Sequence, residues 1–340
     1  MAINLVCIGA VYIDTILSVS RFPNEDEKHR ATGHTQRRGG NCTNTLEVLS
    51  QLVEQGRQTH EDAQDHLYLL AVLPARQSTD VQFITQSVPS VNIDTGCIFR
   101  EEFGNAASSY IIQSAANNSR TTVSHNPLPE MTTQEFIDGA SAIWAQSKVK
   151  RHWFHFEGRI PIVTEASVKW LSENVPSAKI SVECEKPERD YMAHASSQAD
   201  VVFFSKIWAE AKSYNDPRTF LDAQIEHMKP GSILVCTWGS AGATCVHTKT
   251  DRRDDSEWAS TTAWKSTAES VEVVDTIGAG DTFIAGFLHA LNCQGQWTLQ
   301  QKLEFANELA GRKADSHSLA KASHIFCGTM TSRAPIGTRC

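Results

Sequence analysis

The chain has 340 residues, 41% of them hydrophobic, which is enough to bury a large core in one α/β domain. Its formal net charge of −8 gives no support for nucleic-acid binding. No segment approaches the length of a membrane-spanning helix, and the N-terminus lacks a basic leader, so we expect no membrane association. The nine cysteines are odd in number and lack paired spacing, which predicts a reduced, cytoplasmic protein.

The N-terminal segment predicts a buried strand followed by polar groups. Residues 5–8 are all apolar, as is typical of a parallel sheet that is covered on both faces. Asp14 follows at the expected mouth of that strand, and Gly40, Asn41 and Asn44 then open a helix with leucines on one side. Amide donors and acceptors beside glycines suit a polyhydroxylated ligand. The alternative is that the asparagines are only helix N-caps.

Strand-like and helical runs alternate along the whole chain. This order predicts a single α/β domain spanning 1–340, with a doubly wound, mostly parallel sheet flanked by helices. Two polar runs, about 54–66 and 249–262, are expected to be inserted loops. Two excursions, about 12–36 and 95–122, would form a small β-sheet lid. In the second, residues 110–113 and 121–123 bracket Asn117 and Asn118, which is a hairpin signal.

The most informative segment is a glycine turn between a predicted strand and a predicted helix. Residues 271–274 are rich in valine, and Phe283, Phe287 and Leu291 follow at helical spacing. Backbone N–H groups of residues 278–281 would be unpaired in the first turn of this helix and could bind an anion. The helix macrodipole favours an ionised Asp281, which could accept a proton from a hydroxyl that attacks a phosphate. The alternative is that Asp281 is only a helix cap and that Gly278 and Gly280 serve only a tight turn.

The segment Asp275-Thr276-Ile277-Gly278-Ala279-Gly280-Asp281, with Ala285-Gly286 after it, resembles the C-terminal signature of the ribokinase-like (PfkB) carbohydrate kinases. It contains no Gly-Lys-Ser/Thr, so it is not a Walker A loop. The resemblance implies that Asp281 is the catalytic base and that Gly278, Ala279 and Gly280 form the anion hole. It also implies a ribokinase-like fold.

Five further stretches, in the same order along the chain, resemble the ketohexokinase branch of that family. They are residues 37–44, 155–159, 182–187, 200–206 and 234–239. This resemblance implies transfer of phosphate from MgATP to the 1-hydroxyl of fructose, with K⁺ favouring activity. It implies sugar contacts from Asp14, Gly40, Asn41 and Asn44, and a homodimer formed through the lid.

The resemblance also implies an ATP side. Its residues are Arg120, Lys206, Trp238, Gly239, Gly242 and Asn307, with Glu185 supporting Mg²⁺ through water. Each has an alternative from its residue type alone: a solvated loop arginine, a glycine hairpin, an exposed helical asparagine or a surface charge cluster. Ribose, a keto-deoxy sugar acid or a nucleoside remain alternative substrates. A non-catalytic protein that binds sugar or nucleotide is the alternative outside the enzyme class.

Overall fold

The computed structural model describes residues 2–57, 65–117, 119–147, 149–189, 191–249, 255–265 and 277–314. Its strands are β1 (Asn4–Ile8), β2 (Tyr12–Val19), β3 (Gly33–Gly39), β4 (His66–Leu70), β5 (Val72–Pro74), β6 (Val91–Asn92), β7 (Ile98–Arg100), β8 (Ala107–Ser114), β9 (Arg120–His125), β10 (His152–Phe156), β11 (Lys179–Cys184), β12 (Val201–Ser205), β13 (Ile233–Thr237), β14 (Ala243–His247) and β15 (Glu257–Thr261). Its helices are α1 (Asn41–Arg57), α2 (Thr79–Ser87), α3 (Thr133–Gln146), α4 (Pro161–Asn174), α5 (Met192–Ser197), α6 (Lys206–Ala211), α7 (Pro217–Gln224), α8 (Ala279–Cys293) and α9 (Leu299–Ala314).

A large central sheet organises the molecule. Its strand order is β15-β14-β13-β12-β11-β10-β1-β4-β6, and every neighbouring pair from β13 to β6 is parallel. The pairs β13–β14 and β14–β15 are antiparallel, because a short turn joins β13 to β14 and cannot make the crossover that parallel strands need. The prediction of a doubly wound, mostly parallel α/β sheet is confirmed.

Both faces of the central sheet are covered. Along β1, Leu5 and Cys7 belong to the hydrophobic cluster on one face, whereas Val6 and Ile8 belong to the cluster on the other. Helices α1 and α8 supply side chains such as Leu46 to the first cluster. The predicted buried first strand is confirmed, since period-two alternation in a two-sided core leaves no polar face.

A separate four-stranded sheet, which we call the small sheet, has the order β3-β2-β8-β9. The predicted hairpin is present, because β8 and β9 pair antiparallel with Tyr110 opposite Val123. The β8–β9 part of the small sheet differs from the predicted 95–122 excursion at both ends, since β8 begins at Ala107 and β9 extends to His125. Upstream, Ile98–Arg100 pairs with Val72–Pro74 in a two-stranded sheet of its own.

The two polar runs contain more regular structure than their composition suggests. Helix α1 continues into the first run as far as Arg57, and β15 lies within the second run, paired with β14. The pairing of β15 with β14 therefore produces a strand where the local periodicity of the sequence is too weak to predict one. Residues 58–64 and 250–254 of these runs lie outside the described residues, as do the strand predicted for 271–274 and the tail after Ala314. None of the described helices is both long and apolar enough to cross a membrane.

Candidate active site

A polar cleft of about 550 Å³ lies between the small sheet and the carboxyl ends of the parallel strands. This is where open α/β sheets gather ligand contacts, and the volume suits a small-molecule substrate. The lining residues from the small sheet and α1 are Tyr12, Asp14, Arg37, Gly40, Asn41, Asn44, Ser109, Ile111, Thr122 and Ser124. Those from the strand ends and α8 are Glu157, Arg159, Glu183, Glu185, Lys186, Arg189, Phe203, Phe204, Ser205, Ile207, Thr237, Ile277, Gly278, Gly280, Asp281 and Ile284.

Helix α8 begins at the floor of this cleft. Gly278 takes a left-handed conformation with φ of 77°, which glycine adopts at little cost, and no side chain caps the helix. The first-turn N–H groups of Ala279, Gly280 and Asp281 have no carbonyl partner within the helix. The helix start, with Gly278 and Gly280 lining the cleft, is therefore suited to bind an anion.

Asp281 and Asn44 meet across the cleft floor, although 237 positions separate them in the chain. The Asn44 amide Nδ2 donates a hydrogen bond to Asp281 Oδ2 at 2.7 Å, and both residues are buried. The Thr45 hydroxyl donates to the Asp281 backbone carbonyl at 3.3 Å. Helices α1 and α8 therefore present one asparagine and one carboxylate as a pair.

The helix macrodipole predicts an ionised Asp281 with a low pKa, and the structure contradicts this prediction. Burial raises the pKa of this carboxyl to about 7, and the Asn44 hydrogen bond opposes that rise. The nearby Glu185 and Glu157 raise it further, whereas Arg38 lowers it. Desolvation outweighs the helix macrodipole, because the dipole at a helix end is worth about 0.3–2 kcal/mol and burying a charge costs more. A pKa near neutrality is well placed for a general base.

Asn41 is held by two carboxylates at the end of β11. Its Nδ2 lies 3.3 Å from Glu183 Oε2 and 3.3 Å from Glu185 Oε2, both of which accept hydrogen bonds. Burial, with Glu185 as the nearest like charge, raises the pKa of Glu183 well above its usual value. Glu157, at the end of β10, accepts a hydrogen bond from the Ala10 N–H at 2.9 Å, and burial raises its pKa as well. The cleft floor is therefore rich in carboxyl groups.

Asp14 faces the cleft from β2 of the small sheet, opposite Arg37 on β3. Arg37 Nε lies 3.6 Å from Asp14 Oδ2, and burial raises the pKa of Asp14 more than this arginine lowers it. Ser109 and Ser124 stand beside it, with their hydroxyl oxygens 3.2 Å apart. Carboxyl and hydroxyl groups in this arrangement can bind several hydroxyls of one ligand.

Gly40 allows β3 to turn directly into α1. Its φ is 104°, and a Cβ at this position would overlap the carbonyl oxygen of Ala10. The glycine is therefore required by the backbone.

The structure brings together Asp14, Gly40, Asn41 and Asn44 with Gly278, Gly280 and Asp281. Ala279 forms the first turn of α8 between the two glycines.

The six residues that the sequence assigned to ATP do not line the cleft formed by the described residues. Arg120 is exposed at the start of β9, two positions before Thr122. Lys206 pairs with Glu210 at 3.4 Å and lies 5.8 Å from the centroid of the Trp238 ring. Trp238 itself is buried in the core.

The remaining three of those six have structural roles next to the nearby hairpin. Gly239 and Gly242, with φ of 55° and 101°, form the turn between β13 and β14. A Cβ on Gly242 would overlap the carbonyl oxygen of Thr261, so the strand pairing itself requires this glycine. Asn307 Nδ2 donates to the Thr262 carbonyl at 2.8 Å. For the two glycines these contacts favour a role in the hairpin turn, and for Asn307 they favour a structural role. Direct contacts with the nucleotide are less favoured.

Several cleft residues were missed from the sequence. Glu157 carries a usable signal, since it follows the carboxyl end of a buried strand. Arg38, which lies behind the lining residue Asn44, carries no such signal, because its partners, Asn44 and the half-buried Glu47, lie on the next helix. Thr237 and Ile207 line the cleft beside the Trp238 region and mark its side away from the small sheet.

Comparisons with known proteins identify the family. Residues 2–324 match the model of the pfkB family carbohydrate kinases. Ketohexokinase of Mus musculus is 28% identical over 319 residues, which cover 91% of this chain and 95% of that protein.

Solved structures show the same fold. Ribokinase of Arabidopsis thaliana, complexed with ribose and ATP, has a TM-score of 0.66 at 15% identity, covering 94% of each chain. Adenosine kinase of Sinorhizobium meliloti has a TM-score of 0.67 at 18% identity, covering 95% of this chain and 98% of that one. The expected ribokinase-like fold is confirmed. With a family match that spans nearly the whole chain, this protein belongs to the pfkB family of carbohydrate kinases.

Proposed function

We propose that this kinase transfers the γ-phosphoryl group of ATP to a primary hydroxyl of a sugar, with fructose as substrate and fructose 1-phosphate as product. The observation that carries the proposal is the buried pair of Asn44 and Asp281 at the start of α8. This pair supports the proposal because a carboxyl with a pKa of about 7 can act as a base, and it lies beside a helix terminus that can hold a phosphoryl group.

Each side of the cleft has its own part in the reaction. Asp281 accepts the proton of the attacking hydroxyl, and the first-turn N–H groups of α8 donate to the oxygens of the transferring phosphoryl group. Asp14 and Asn41 hold the other hydroxyls of the sugar. The small sheet acts as the lid that excludes water, which competes with the sugar for the phosphoryl group.

The carboxyl groups of the cleft fit a requirement for Mg²⁺. Glu183, Glu185 and Glu157 lie near Asp281, so a bound triphosphate adds negative charge to a floor that is already rich in carboxyl groups. Bound Mg²⁺ supplies positive charge that neutralises the phosphate oxygens. No group of three or more His, Cys, Asp or Glu side chains in the described part of the chain is arranged to hold a metal directly. For Glu185 we keep the role that the resemblance implies, which is support of the ion through water.

The substrate assignment rests on the mouse ketohexokinase match, and other sugars remain the alternative. A sugar acid would need a cation, and the cleft contains guanidinium groups that already have partners. Arg37 lies beside Asp14, Arg159 donates to the Tyr12 hydroxyl at 2.7 Å, and Arg189 donates to the Gly158 carbonyl. These pairings make the three arginines less available to a sugar acid, whereas Lys186, which also lines the cleft, remains a cation that could bind one.

A coupled assay of ADP release tests the substrate. Fructose, ribose, adenosine and a keto-deoxy sugar acid are compared at saturating MgATP, with KCl and NaCl in parallel. We expect fructose to give the highest kcat/KM and K⁺ to raise it. A different best substrate removes the ketohexokinase assignment and leaves the kinase assignment in place. If the protein binds one of these compounds but releases ADP with none of them, the result supports the non-catalytic alternative.

Asp281→Asn tests the base. We expect turnover to fall by about three orders of magnitude or more, since proton transfer and charge positioning are both lost. Asp138→Asn, an exposed carboxylate on α3, is the matched control and should retain full activity. Near-normal turnover of Asp281→Asn would contradict the proposed mechanism.

We further propose that the protein is a homodimer whose lids pair through the outer face of the small sheet. Tyr110 and Val123 form a cross-strand pair there and are 52% and 62% exposed. The seven cysteines in the described part of the chain are free thiols, which fits a reducing cytoplasmic setting.

A further inference from the structure

A buried arginine contacts Asn44 on the side away from Asp281. Arg38 is the next-to-last residue of β3, and its side chain is only 3% exposed. One guanidinium nitrogen donates to Asn44 Oδ1 at 2.7 Å, and the other donates to Glu47 on α1. Asn44 Nδ2 in turn donates to Asp281 Oδ2 at 2.7 Å. Four side chains thus form one continuous chain of hydrogen bonds.

This arrangement fixes which way the Asn44 amide points. An amide has a donor end and an acceptor end, whereas guanidinium can only donate and carboxylate can only accept. With Arg38 against Oδ1, the donor Nδ2 must face Asp281. A reversed amide would place its oxygen against the Asp281 carboxylate and its NH₂ against the guanidinium, which is unfavourable at both ends.

We propose that Arg38 is a positioning residue for catalysis, which orients the Asn44 amide so that it donates to the ionised base Asp281. This role rests on the proposed function of Asp281 and extends it to a residue that has no direct contact with that carboxyl. Glu47 completes the assembly by holding the second arm of Arg38. The charge of Arg38 adds to the effect because it also favours the ionised carboxylate.

The other charged groups near Asp281 oppose this effect. Glu157 from the end of β10 and Glu185 from the end of β11 favour the protonated carboxyl of Asp281, and Asp281 in turn helps to raise the pKa of Glu183. Arg38, from β3, is the cation that favours its ionised form. Removal of Arg38 therefore leaves Asp281 among carboxylates, with an Asn44 amide that is free to turn around.

The pH dependence of kcat/KM for the sugar, measured at saturating MgATP, tests the proposal. In Arg38→Met we expect the acid limb to move to higher pH by about one unit. The loss of kcat/KM should then be about tenfold larger at pH 6 than at pH 9. Arg38→Lys keeps a cation that can reach only one of the two partners, so its acid limb should move by less than that of Arg38→Met. Arg30→Met, at an exposed position, is the control and should match the wild type.

The outcomes separate positioning from a structural role. If Arg38 only fastened β3 to α1, kcat/KM would fall by one factor at every pH and the acid limb would stay in place, which overturns the proposal. If Arg38→Met does not fold, Arg38→Lys decides by the same criterion. An inactive Asp281→Asn together with unshifted Arg38 variants overturns only the role of Arg38. A fully active Asp281→Asn overturns the proposed base and the role of Arg38 with it.

Discussion

At the scale of single residues, Asp281 shows how two opposing effects act on one carboxyl group. Its position in the first turn of α8 favours the charged form, whereas its burial favours the neutral form. Burial dominates, and the pKa rises to about 7. A base with this pKa is partly ionised at neutral pH and accepts a proton more readily than an ordinary aspartate.

The first residue-scale prediction concerns pH. Because the base must be ionised, kcat/KM should decrease tenfold for each pH unit below about 7, with a plateau above pH 8. The measurement is a kcat/KM profile between pH 5 and 9 in buffers of constant ionic strength. An aspartate with an ordinary pKa near 3.9 would instead give a flat profile down to pH 5.

The second residue-scale prediction concerns stability. The folded pKa of Asp281 lies above its unfolded value, so the folded state binds the proton more tightly and stability falls as pH rises from about 4 through 7. Asp281→Asn removes the cost of burying this charge. We expect it to be more stable than the wild type by on the order of 2 kcal/mol at pH 8. Urea unfolding should show no such difference at pH 4, and an equal difference at both values contradicts this account.

At the scale of secondary-structure elements, two helix starts and one hairpin organise the cleft. Helix α1 supplies Asn41 and Asn44, α8 supplies Asp281, and the hairpin of β13 and β14 bounds the side that holds Thr237. The glycines at these points are required by backbone geometry. Gly40 and Gly242 both combine a positive φ with a neighbouring backbone oxygen where a Cβ would lie.

The element-scale prediction uses Gly242. Gly242→Ala should lower the free energy of unfolding by about 2 kcal/mol or more, because of the strained φ and the overlap with Thr261. Gly56→Ala near the end of α1 is the control, since an added Cβ would meet no atom of the described side chains within 4 Å and helix propensity improves by up to about 1 kcal/mol. Thermal unfolding and KM for ATP are measured together. An unchanged stability with a raised KM for ATP would restore the nucleotide contact predicted from the sequence.

At the scale of the whole molecule, the cleft exists because two separate sheets face each other. Alternate residues of the small sheet, including Ser109, Ile111 and Thr122, line the cleft, whereas Tyr110 and Val123 point away from it. The period of two along a strand explains both surfaces at once. One face is polar and closes the site, and the opposite face leaves an exposed tyrosine and an exposed valine for a partner.

The whole-molecule prediction concerns the dimer. Sedimentation velocity at micromolar concentration should show a homodimer, and the double variant Tyr110→Glu with Val123→Glu should sediment as a monomer, because charges are depleted from interface cores. Ile162→Glu on α4 changes another exposed side chain, 74% accessible, and should stay dimeric. A monomeric wild type contradicts the proposed lid pairing.

The sequence by itself determined the fold class and the two ends of the site. The apolar first strand, the glycine turn and the helical spacing after Asp281 are local patterns, and local patterns depend on steric and hydrophobic preferences that a few neighbouring residues express. Together with the resemblance to the pfkB kinases, they predicted that Asp14, Asn41, Asn44 and Asp281 share one site, and these residues do line one cleft.

Only the tertiary structure decided how those groups act. The pKa of Asp281 depends on burial and on Glu157 and Glu185, which are far away in sequence. The orientation of the Asn44 amide depends on Arg38, which reaches Asn44 and Glu47 only because the chain turns at Gly40 from β3 into α1. Desolvation and hydrogen-bond direction are properties of three-dimensional surroundings, so no linear pattern could encode them.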